Sequence, residues 1–220
     1  MPLHKAKETN RIFSKCYRMY GRKNSGNMKY DDFFFSPLGK KILEAEAKFI
    51  ANHAEGIALS IGCGTGIIEE KVEKISKAEI IGIETDDEML SIAKGRISII
   101  KANAMALPFK NSSIDTIIFV TSLEFIEDYK KAIDEAYRVL KKGGKLVAIL
   151  LNTSSPYFKQ RYEKGGYIRK NIKHLDIDAI LNFMKMHFKL KVKGLFEIKN
   201  NRLSFPGESV YGVVGTKFNS

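Results

Sequence analysis

The stretch Ile57-Ala-Leu-Ser-Ile-Gly62-Cys-Gly64-Thr-Gly66 indicates most directly which fold this chain adopts. It begins with a short apolar run, which is typical of a buried strand. The three glycines that follow permit positive φ angles and a close approach of a ligand to the backbone. Residues 67–76 (IIEEKVEKIS) then have helical spacing. The stretch therefore predicts a strand, a glycine-rich turn and a helix whose N-terminal amides face a ligand.

Strands and helices alternate on the C-terminal side of this stretch. Predicted strands are EIIGIE (79–84), RISIIKA (96–102), SIDTIIFVTS (113–122) and KLVAILLN (145–152). Predicted helices between and after them are DDEMLSIAKG (86–95), DYKKAIDEAYRVLKKGG (128–144), which is expected to end at its glycines, and LDIDAILNFMKMHF (175–188). Such alternation is typical of right-handed crossovers in a parallel sheet. The last two predicted strands, KLKVKGLFEI (189–198) and SVYGVVGTKF (209–218), have no helix between them.

These elements together predict an α/β fold with a doubly wound seven-stranded sheet, mostly parallel with an antiparallel C-terminal strand pair. On the N-terminal side, Ser36 and Pro37 have the residue types of an N-cap and a first helical position, and Gly56 is the predicted helix stop. We expect one domain over residues 1–220. Its predicted parts are an N-terminal helical lid (1–35), a cofactor-binding core (36–152), a substrate lid (153–174) and a C-terminal helix with the strand pair (175–220).

Composition narrows the functional classes. The 220 residues include 44% hydrophobic and 28% charged residues, enough apolar surface for a sizeable core. The net charge of +12 favours phosphates, nucleic acid or anionic lipid without selecting among them. We expect a cytoplasmic protein without a membrane span, because no apolar run is long enough and residues 1–11 lack an apolar signal region. Cys16 and Cys63 are far apart, so neither a disulfide framework nor a metal site is predicted.

An acidic residue follows the second predicted strand. Glu84 lies 22 residues after Gly62, at the end of EIIGIE. A carboxylate in that place can accept both hydroxyl groups of a ribose. The glycine turn and this acid together predict a nucleoside-bearing cofactor.

Four segments resemble a known family in order and spacing. ALSIGCGTG (58–66) resembles its first motif and IIGIETDDEMLSIAK (80–94) its second. KANAMALPFKNSSIDTIIFVTSLEFIED (101–128) resembles its third and fourth, and EAYRVLKKGGKLV (135–147) the approach to its fifth strand. The family is the class I S-adenosylmethionine-dependent methyltransferases, of the small-molecule type related to ubiquinone and menaquinone biosynthesis. The resemblance runs from about Tyr30 to the end and implies S-adenosylmethionine as cofactor and S-adenosylhomocysteine as product.

The resemblance also implies roles for individual residues. Gly62, Cys63 and Gly64 are expected along the methionine part of the cofactor, Glu84 at the ribose and Thr85 beside the adenine. Asn103 and Ala104 are expected at the adenine edge. The family usually has Asp at the position of Asn103, but an amide still offers a carbonyl acceptor to the adenine amino group. Two further expected cofactor contacts are Tyr30 and Thr121.

The acceptor side of the predicted site is aromatic and basic. SSPYFKQRYEKGGYIRKNIKH (154–174) brings aromatic rings and arginines above the carboxyl edge of the sheet. The predicted lid residues are Tyr157, Arg161, Tyr162 and Tyr167, and the aromatics of the N-terminal helix, Phe13, Tyr17 and Tyr20, should complete the roof. Aromatic walls with Arg161 and Arg169 suggest a planar or anionic small-molecule acceptor.

Methyl transfer by in-line displacement at a sulfonium carbon requires mainly alignment of the acceptor and exclusion of water. A general base is needed only when the acceptor must lose a proton before or during transfer, as a hydroxyl does. Glu124, His174 and residues of the predicted lid (153–174) are the candidates for that base. The competing interpretation for Glu124 and His174 is structural: a polar residue after a strand and a surface residue before a helix.

Other functions also fit parts of the sequence. A nicotinamide-dependent dehydrogenase would use the same sheet, and Tyr137 and Lys141 have a Tyr-x-x-x-Lys spacing, but Tyr137 falls on a core-facing helical stripe and the glycine turn is G-x-G-x-G. A nucleic-acid methyltransferase would suit the charge. However, residues 121–125 (TSLEF) lack the proline-containing turn that holds a flipped base, and neither cysteine is near enough for carbon-5 pyrimidine chemistry. A non-catalytic protein that kept the cofactor fold is the third alternative.

Overall fold

The computed structural model describes residues 28–218, with side chains from residue 31 onward. Its helices are α1 Met28–Phe35, α2 Pro37–Ala51, α3 Ile67–Ile75, α4 Asp87–Ala93, α5 Tyr129–Val139, α6 Pro156–Glu163, α7 Tyr167–Asn171 and α8 Ile177–Lys185. Its strands are β1 Ile57–Ile61, β2 Glu79–Glu84, β3 Ser98–Lys101, β4 Ile114–Val120, β5 Leu140–Leu151, β6 Phe188–Lys199, β7 Arg202–Ser204 and β8 Val210–Lys217.

The strands form one sheet in the order β3-β2-β1-β4-β5-β8-β6-β7. Neighbours from β3 to β5 pair in parallel, whereas β8 pairs antiparallel with both β5 and β6. This confirms the predicted α/β fold and its antiparallel finish. The sheet has 8 strands rather than the seven predicted, because β7 pairs antiparallel with the end of β6. The strand order reverses between β1 and β4, which opens a crevice at the carboxyl edge.

Two apolar clusters cover the two faces of the sheet. Alternate residues of β1 divide between them: Leu59 and Ile61 pack with α5 and α8, while Ala58 packs with α2 and α3. Burial on both faces explains why the parallel strands read as continuous apolar runs in the sequence. The crevice at the carboxyl edge is therefore formed by a sheet that is packed on both faces.

The largest differences from the predicted element boundaries are at the ends of α2 and α5. Ser36 is the N-cap of α2 as predicted, since its hydroxyl accepts the Gly39 N–H at 3.0 Å. That helix ends at Ala51, five residues before the predicted stop at Gly56. The helix α5 also ends early, at Val139, because Leu140 already pairs with Ile114 in the sheet. The glycines expected to end it lie in an irregular part of β5, where pairing with β4 shifts register.

The predicted lid over residues 153–174 contains the two short helices α6 and α7. Of the N-terminal segment, α1 is described, whereas Phe13, Cys16, Tyr17 and Tyr20 lie outside the described residues. Within residues 28–218, no helix has both the length and the apolar character needed to cross a membrane.

Candidate functional site

The glycine loop after β1 has the backbone geometry that its sequence predicts. Gly62, Gly64 and Gly66 have φ angles of 72°, 56° and 71°, which L-residues rarely adopt. Gly62 N–H donates to the Ile83 carbonyl at 2.8 Å, which fixes the start of the loop on β2. A Cβ added to Gly64 would meet no atom within 4 Å. The loop therefore faces open space at Gly64.

Glu84 lies at the end of β2 and points back to this loop. Its Oε2 accepts the Gly64 N–H at 2.9 Å, and its Oε1 accepts the N–H groups of Thr85 at 2.7 Å and Asp86 at 3.0 Å. The sequence predicts a ribose acceptor here, and the structure adds that the carboxylate also holds the loop. Each carboxylate oxygen can accept more than one hydrogen bond, so capacity for ribose hydroxyls remains.

A second carboxylate, which the sequence did not reveal, holds the same loop from another element. Asp31 of α1 is buried, and its Oδ1 accepts the Thr65 hydroxyl at 2.7 Å. Its Oδ2 accepts Arg96 Nη2 at 2.7 Å, and Arg96 Nη1 donates to the Thr65 carbonyl at 2.9 Å. These contacts join residues 34 and 65 positions apart, which no local pattern could indicate.

The remaining predicted cofactor residues follow β3 and β4 or belong to α1. Asn103 follows β3 and is exposed, and its Oδ1 already accepts the Met105 N–H at 2.8 Å. Ala104 is half-buried beside it. Thr121 has a positive φ of 43° at the turn after β4, where its N–H donates to the Ile149 carbonyl at 2.8 Å. Tyr30 belongs to α1, but its side chain is outside the described part.

Comparison with known proteins identifies the family. The model of the family described as "Methyltransferase domain" matches residues 59–148, from β1 into β5. A demethylmenaquinone methyltransferase of Oceanobacillus iheyensis is 30% identical over 167 residues, covering 70% of this chain and 66% of the relative. An uncharacterized protein of Methanocaldococcus jannaschii is 36% identical over 179 residues, covering 80% of this chain and 82% of the relative.

Among solved structures, a Thermotoga maritima S-adenosylmethionine-dependent methyltransferase, described as a possible histamine N-methyltransferase, superimposes with a TM-score of 0.73. It is 26% identical, and the match covers 86% of this chain and 95% of that one. The chain belongs to the class I S-adenosylmethionine-dependent methyltransferases. S-adenosylmethionine is accordingly its cofactor, and the enzyme is similar to methyltransferases of quinone biosynthesis.

The methyltransferase carries a fully buried carboxyl group in the turn after β4. Glu124 follows β4, and its Oε1 accepts the Leu151 N–H at the end of β5 at 2.6 Å. Its Oε2 is buried and has no hydrogen-bond partner among the described residues. Burial raises the pKa of Glu124 to about 7, against the lowering effect of the Leu151 N–H. A carboxyl group in this state can gain or lose a proton near neutral pH.

His174, the other candidate base, has a structural contact instead. Its Nε2 lies 2.8 Å from the Ile126 carbonyl and therefore donates to it, and its ring packs edge-on against Tyr129 at 4.8 Å between centroids. The N–H groups of Lys173 and His174 donate to the Glu124 carbonyl at 2.9 and 3.1 Å. His174 thus anchors the C-terminal end of the lid to the turn after β4.

The lid aromatics divide between two places. On α6, the Arg161 guanidinium lies over the rings of Tyr157 and of Phe33 from α1, at 6.0 and 5.6 Å. On α7, the Tyr167 ring lies 5.8 Å from the Phe125 ring and is mostly exposed. Partial burial and the charges of Glu84 and Asp86 raise the pKa of the Tyr167 hydroxyl, so Tyr167 lies toward Glu84 rather than with Tyr157.

Tyr162 lies on the outer side of α6. Its ring stacks on Phe158 at 5.7 Å, and the Arg169 guanidinium lies over it at 5.6 Å. A shallow cavity of about 280 Å³ beside it is lined by Thr153, Phe158, Lys159, Tyr162, Glu163 and Leu175. None of these residues belongs to the glycine loop, so this cavity is not assigned to the cofactor.

Two more buried carboxyl groups lie behind the glycine loop. Ser60 donates to Glu69 Oε1 at 2.7 Å, and burial raises the pKa of Glu69 to about 7. Burial and the neighbouring Glu69 raise the pKa of Glu46 on α2 to about 8. Burial also raises the pKa of the Cys63 thiol, which argues against Cys63 as a nucleophile.

The Tyr-x-x-x-Lys spacing does not form a dehydrogenase site. The Tyr137 ring packs edge-on against His187 and Phe188, at 5.2 and 5.7 Å. Lys141 instead forms an ion pair with Asp115 at 2.7 Å. Tyr137 therefore has the core-facing role that the helical stripe predicts. Lys141 was expected at the end of the helix but lies in β5, because α5 ends at Val139.

Proposed function

We propose that this enzyme transfers the methyl group of S-adenosylmethionine to a small-molecule acceptor enclosed by α1, α6 and α7. The observation that carries the proposal is how this short lid is held. Its first helix contacts α1 through Arg161 and Phe33, and its C-terminal end is bound to Glu124 through two backbone hydrogen bonds. A short lid fixed at both ends suits a compact acceptor better than a long polymer, which requires an extended groove.

The names of similar proteins support this class of acceptor. Those of the Oceanobacillus iheyensis relative and the Thermotoga maritima neighbour refer to demethylmenaquinone and, as a possibility, histamine. Both acceptors are small molecules, although their reacting atoms differ. The shared element is the cofactor half of the site, which the family model matches over residues 59–148.

The cofactor is assigned to the glycine loop and Glu84. Gly62, Cys63 and Gly64 would line the methionine part, Glu84 would accept the ribose hydroxyls, and Thr85 would lie beside the adenine. Asn103, Ala104, Thr121 and Tyr30 would provide the remaining contacts. The cofactor supplies a methyl group already activated by a positive sulfonium. The protein therefore has to orient the acceptor and keep water out.

Glu124 is the favoured proton acceptor when the acceptor atom carries a proton. Its Oε2 has no partner among the described residues, whereas the His174 Nε2 is used by the Ile126 carbonyl. The proton released from an O–H or N–H acceptor would move to Glu124 Oε2 as the methyl bond forms. Glu124→Gln should then lower kcat and remove the limb of the pH–rate profile near pH 7. An unchanged profile would exclude Glu124 from proton transfer.

Transfer of label separates the acceptor classes. The enzyme is incubated with methyl-labelled S-adenosylmethionine and, in parallel, with a small-metabolite extract and with total RNA. We expect label in the metabolite fraction only, and a Gly64→Val variant serves as the control for cofactor-dependent transfer. Label at a defined nucleotide of RNA would overturn the small-molecule proposal and leave the cofactor unchanged.

A further inference from the structure

The glycine loop depends on restraint from outside. Thr65 lies between Gly64 and Gly66, which have φ angles of 56° and 71°. Because glycine has no Cβ, the backbone at these two positions is the least restricted in the loop. On one side, Glu84 accepts the Gly64 N–H at 2.9 Å. On the other side, Thr65 is fully buried and both its hydroxyl and its carbonyl are bound.

Both contacts of Thr65 lead to one buried ion pair. The Thr65 hydroxyl donates to Asp31, and its carbonyl accepts from Arg96. Asp31 and Arg96 approach to 2.7 Å, with side chains only 11% and 20% exposed. An ion pair at this depth is stronger than one on the surface, and its hydrogen bonds are charge-assisted. The pair therefore fixes the loop, the turn before β3 and α1 as one unit.

The same helix also reaches the acceptor lid. Phe33, two positions after Asp31, lies beneath the Arg161 guanidinium of α6 at 5.6 Å. Helix α1 thus contacts the cofactor loop through Asp31 and the lid through Phe33. Its position bears on both halves of the site, although neither residue needs to touch the cofactor.

We propose that Asp31 is a positioning residue of the cofactor site, acting through Thr65 and Arg96 to hold the glycine loop in its binding shape. The proposal rests on the assignment of this loop to the cofactor. Without the Asp31 carboxylate, Arg96 still has Glu70, whose Oε2 lies 3.7 Å from Arg96 Nε. The loss should therefore affect the loop more than the stability of the fold.

Calorimetric titration with S-adenosylhomocysteine tests the proposal on the full chain. Asp31→Asn should raise the Kd by roughly tenfold, the size expected for loss of one charge-assisted hydrogen bond. Asp32→Asn is the matched control, because Asp32 is the exposed neighbour on the same helix, and it should leave the Kd unchanged. In steady-state assays, Asp31→Asn should raise KM for S-adenosylmethionine with little change in kcat. A residue that only stabilised the fold would not raise KM for S-adenosylmethionine while leaving kcat nearly unchanged.

Substitutions at Thr65 provide an independent pair. Thr65→Val keeps the shape and removes the hydroxyl, so it should weaken binding to a similar degree, whereas Thr65→Ser should retain near-normal affinity. The double variant Asp31→Asn/Thr65→Val should lose less binding free energy than the sum of the losses in the two single variants. Both substitutions affect the same hydrogen bond between Thr65 and Asp31. If Asp31→Asn does not fold, Thr65→Val and Thr65→Ser decide the question.

The outcomes separate this inference from the site assignment. If Gly64→Val still binds S-adenosylhomocysteine, the loop is not the cofactor site. If Gly64→Val loses binding while Asp31→Asn and Thr65→Val keep it, the loop assignment stands and the positioning role of Asp31 is wrong.

Discussion

Substitution of Glu124 by Gln gives a quantitative test of the buried carboxyl group that we propose as the proton acceptor. The two side chains have the same shape, and the Gln Oε1 can still accept the Leu151 N–H. Only the ability to ionise is lost. Because Glu124 is fully buried, the comparison isolates the effect of placing a charge at this depth.

The magnitude and sign follow from the pKa of this group. Burial raises it from 4.5 to about 7, and each pKa unit corresponds to about 1.36 kcal/mol, which amounts to roughly 3 kcal/mol. Between pH 4.5 and about pH 7, the Glu124 carboxyl group is protonated to a greater extent in the folded state than in the unfolded state. The contribution of Glu124 to stability therefore decreases as pH rises from about 4.5 to about 7, and the full penalty is present above that window.

Urea unfolding at pH 5 and pH 8 measures the effect. The wild type and Glu124→Gln should differ little at pH 5, whereas at pH 8 the variant should be more stable by on the order of 3 kcal/mol. Glu46 and Glu69 also have raised pKa values, but they are common to both proteins and cancel in the comparison. Glu79→Gln, at an exposed position, is the control for losing a carboxylate. An equal stability difference at both pH values would refute the reasoning from burial.

Three further predictions concern the cofactor and the net charge. Gly64→Val should abolish S-adenosylhomocysteine binding in calorimetry, whereas Gly165→Val should not, although Gly165 also has a positive φ and open space around its Cα. Glu84→Gln places an amide NH₂ group against backbone N–H donors and should weaken S-adenosylhomocysteine binding by about 1.5–3 kcal/mol, a loss that an unchanged Kd would contradict. RNA binding is measured by filter retention between 50 and 200 mM salt. It should be weak, lack sequence preference and fall steeply as the salt concentration rises. Retention of a defined RNA at 200 mM salt would point to a specific nucleic-acid site.

The sheet was predictable because its strands and helices are specified locally. Each parallel strand is a short apolar run, and each helix between them has apolar spacing of its own. The short strand β7 was missed, although the sequence contained a signal for it. Asn200 and Asn201 have positive φ angles of 49° and 58° and join Lys199 to Arg202 in a two-residue hairpin turn, for which Asn is a favoured residue.

Helix ends were less predictable, since tertiary contacts decide them. The glycines after α5 suggested a helix extending to residue 144, but pairing of Leu140 with Ile114 ends it at Val139. Leu140 is the C-cap of α5: its N–H still donates to the Ala136 carbonyl, and its extended backbone conformation ends the helix. In the site, the sequence located the glycine loop and Glu84, whereas Asp31 and Arg96 were missed because their contacts join distant segments.

The two halves of the site are built in different ways, and this has a consequence for specificity. In the proposed site, the centre of the cofactor half is a strand-to-helix turn and an acid at the next strand end, within residues 62–86. The proposed acceptor half would use side chains of α1, α6 and α7, which meet through long-range contacts such as that of Arg161 with Phe33. Substitutions in the lid should therefore change acceptor preference while leaving the glycine loop intact. Asp31 is the exception to this separation, because it holds the cofactor loop from the helix that carries Phe33 to the lid.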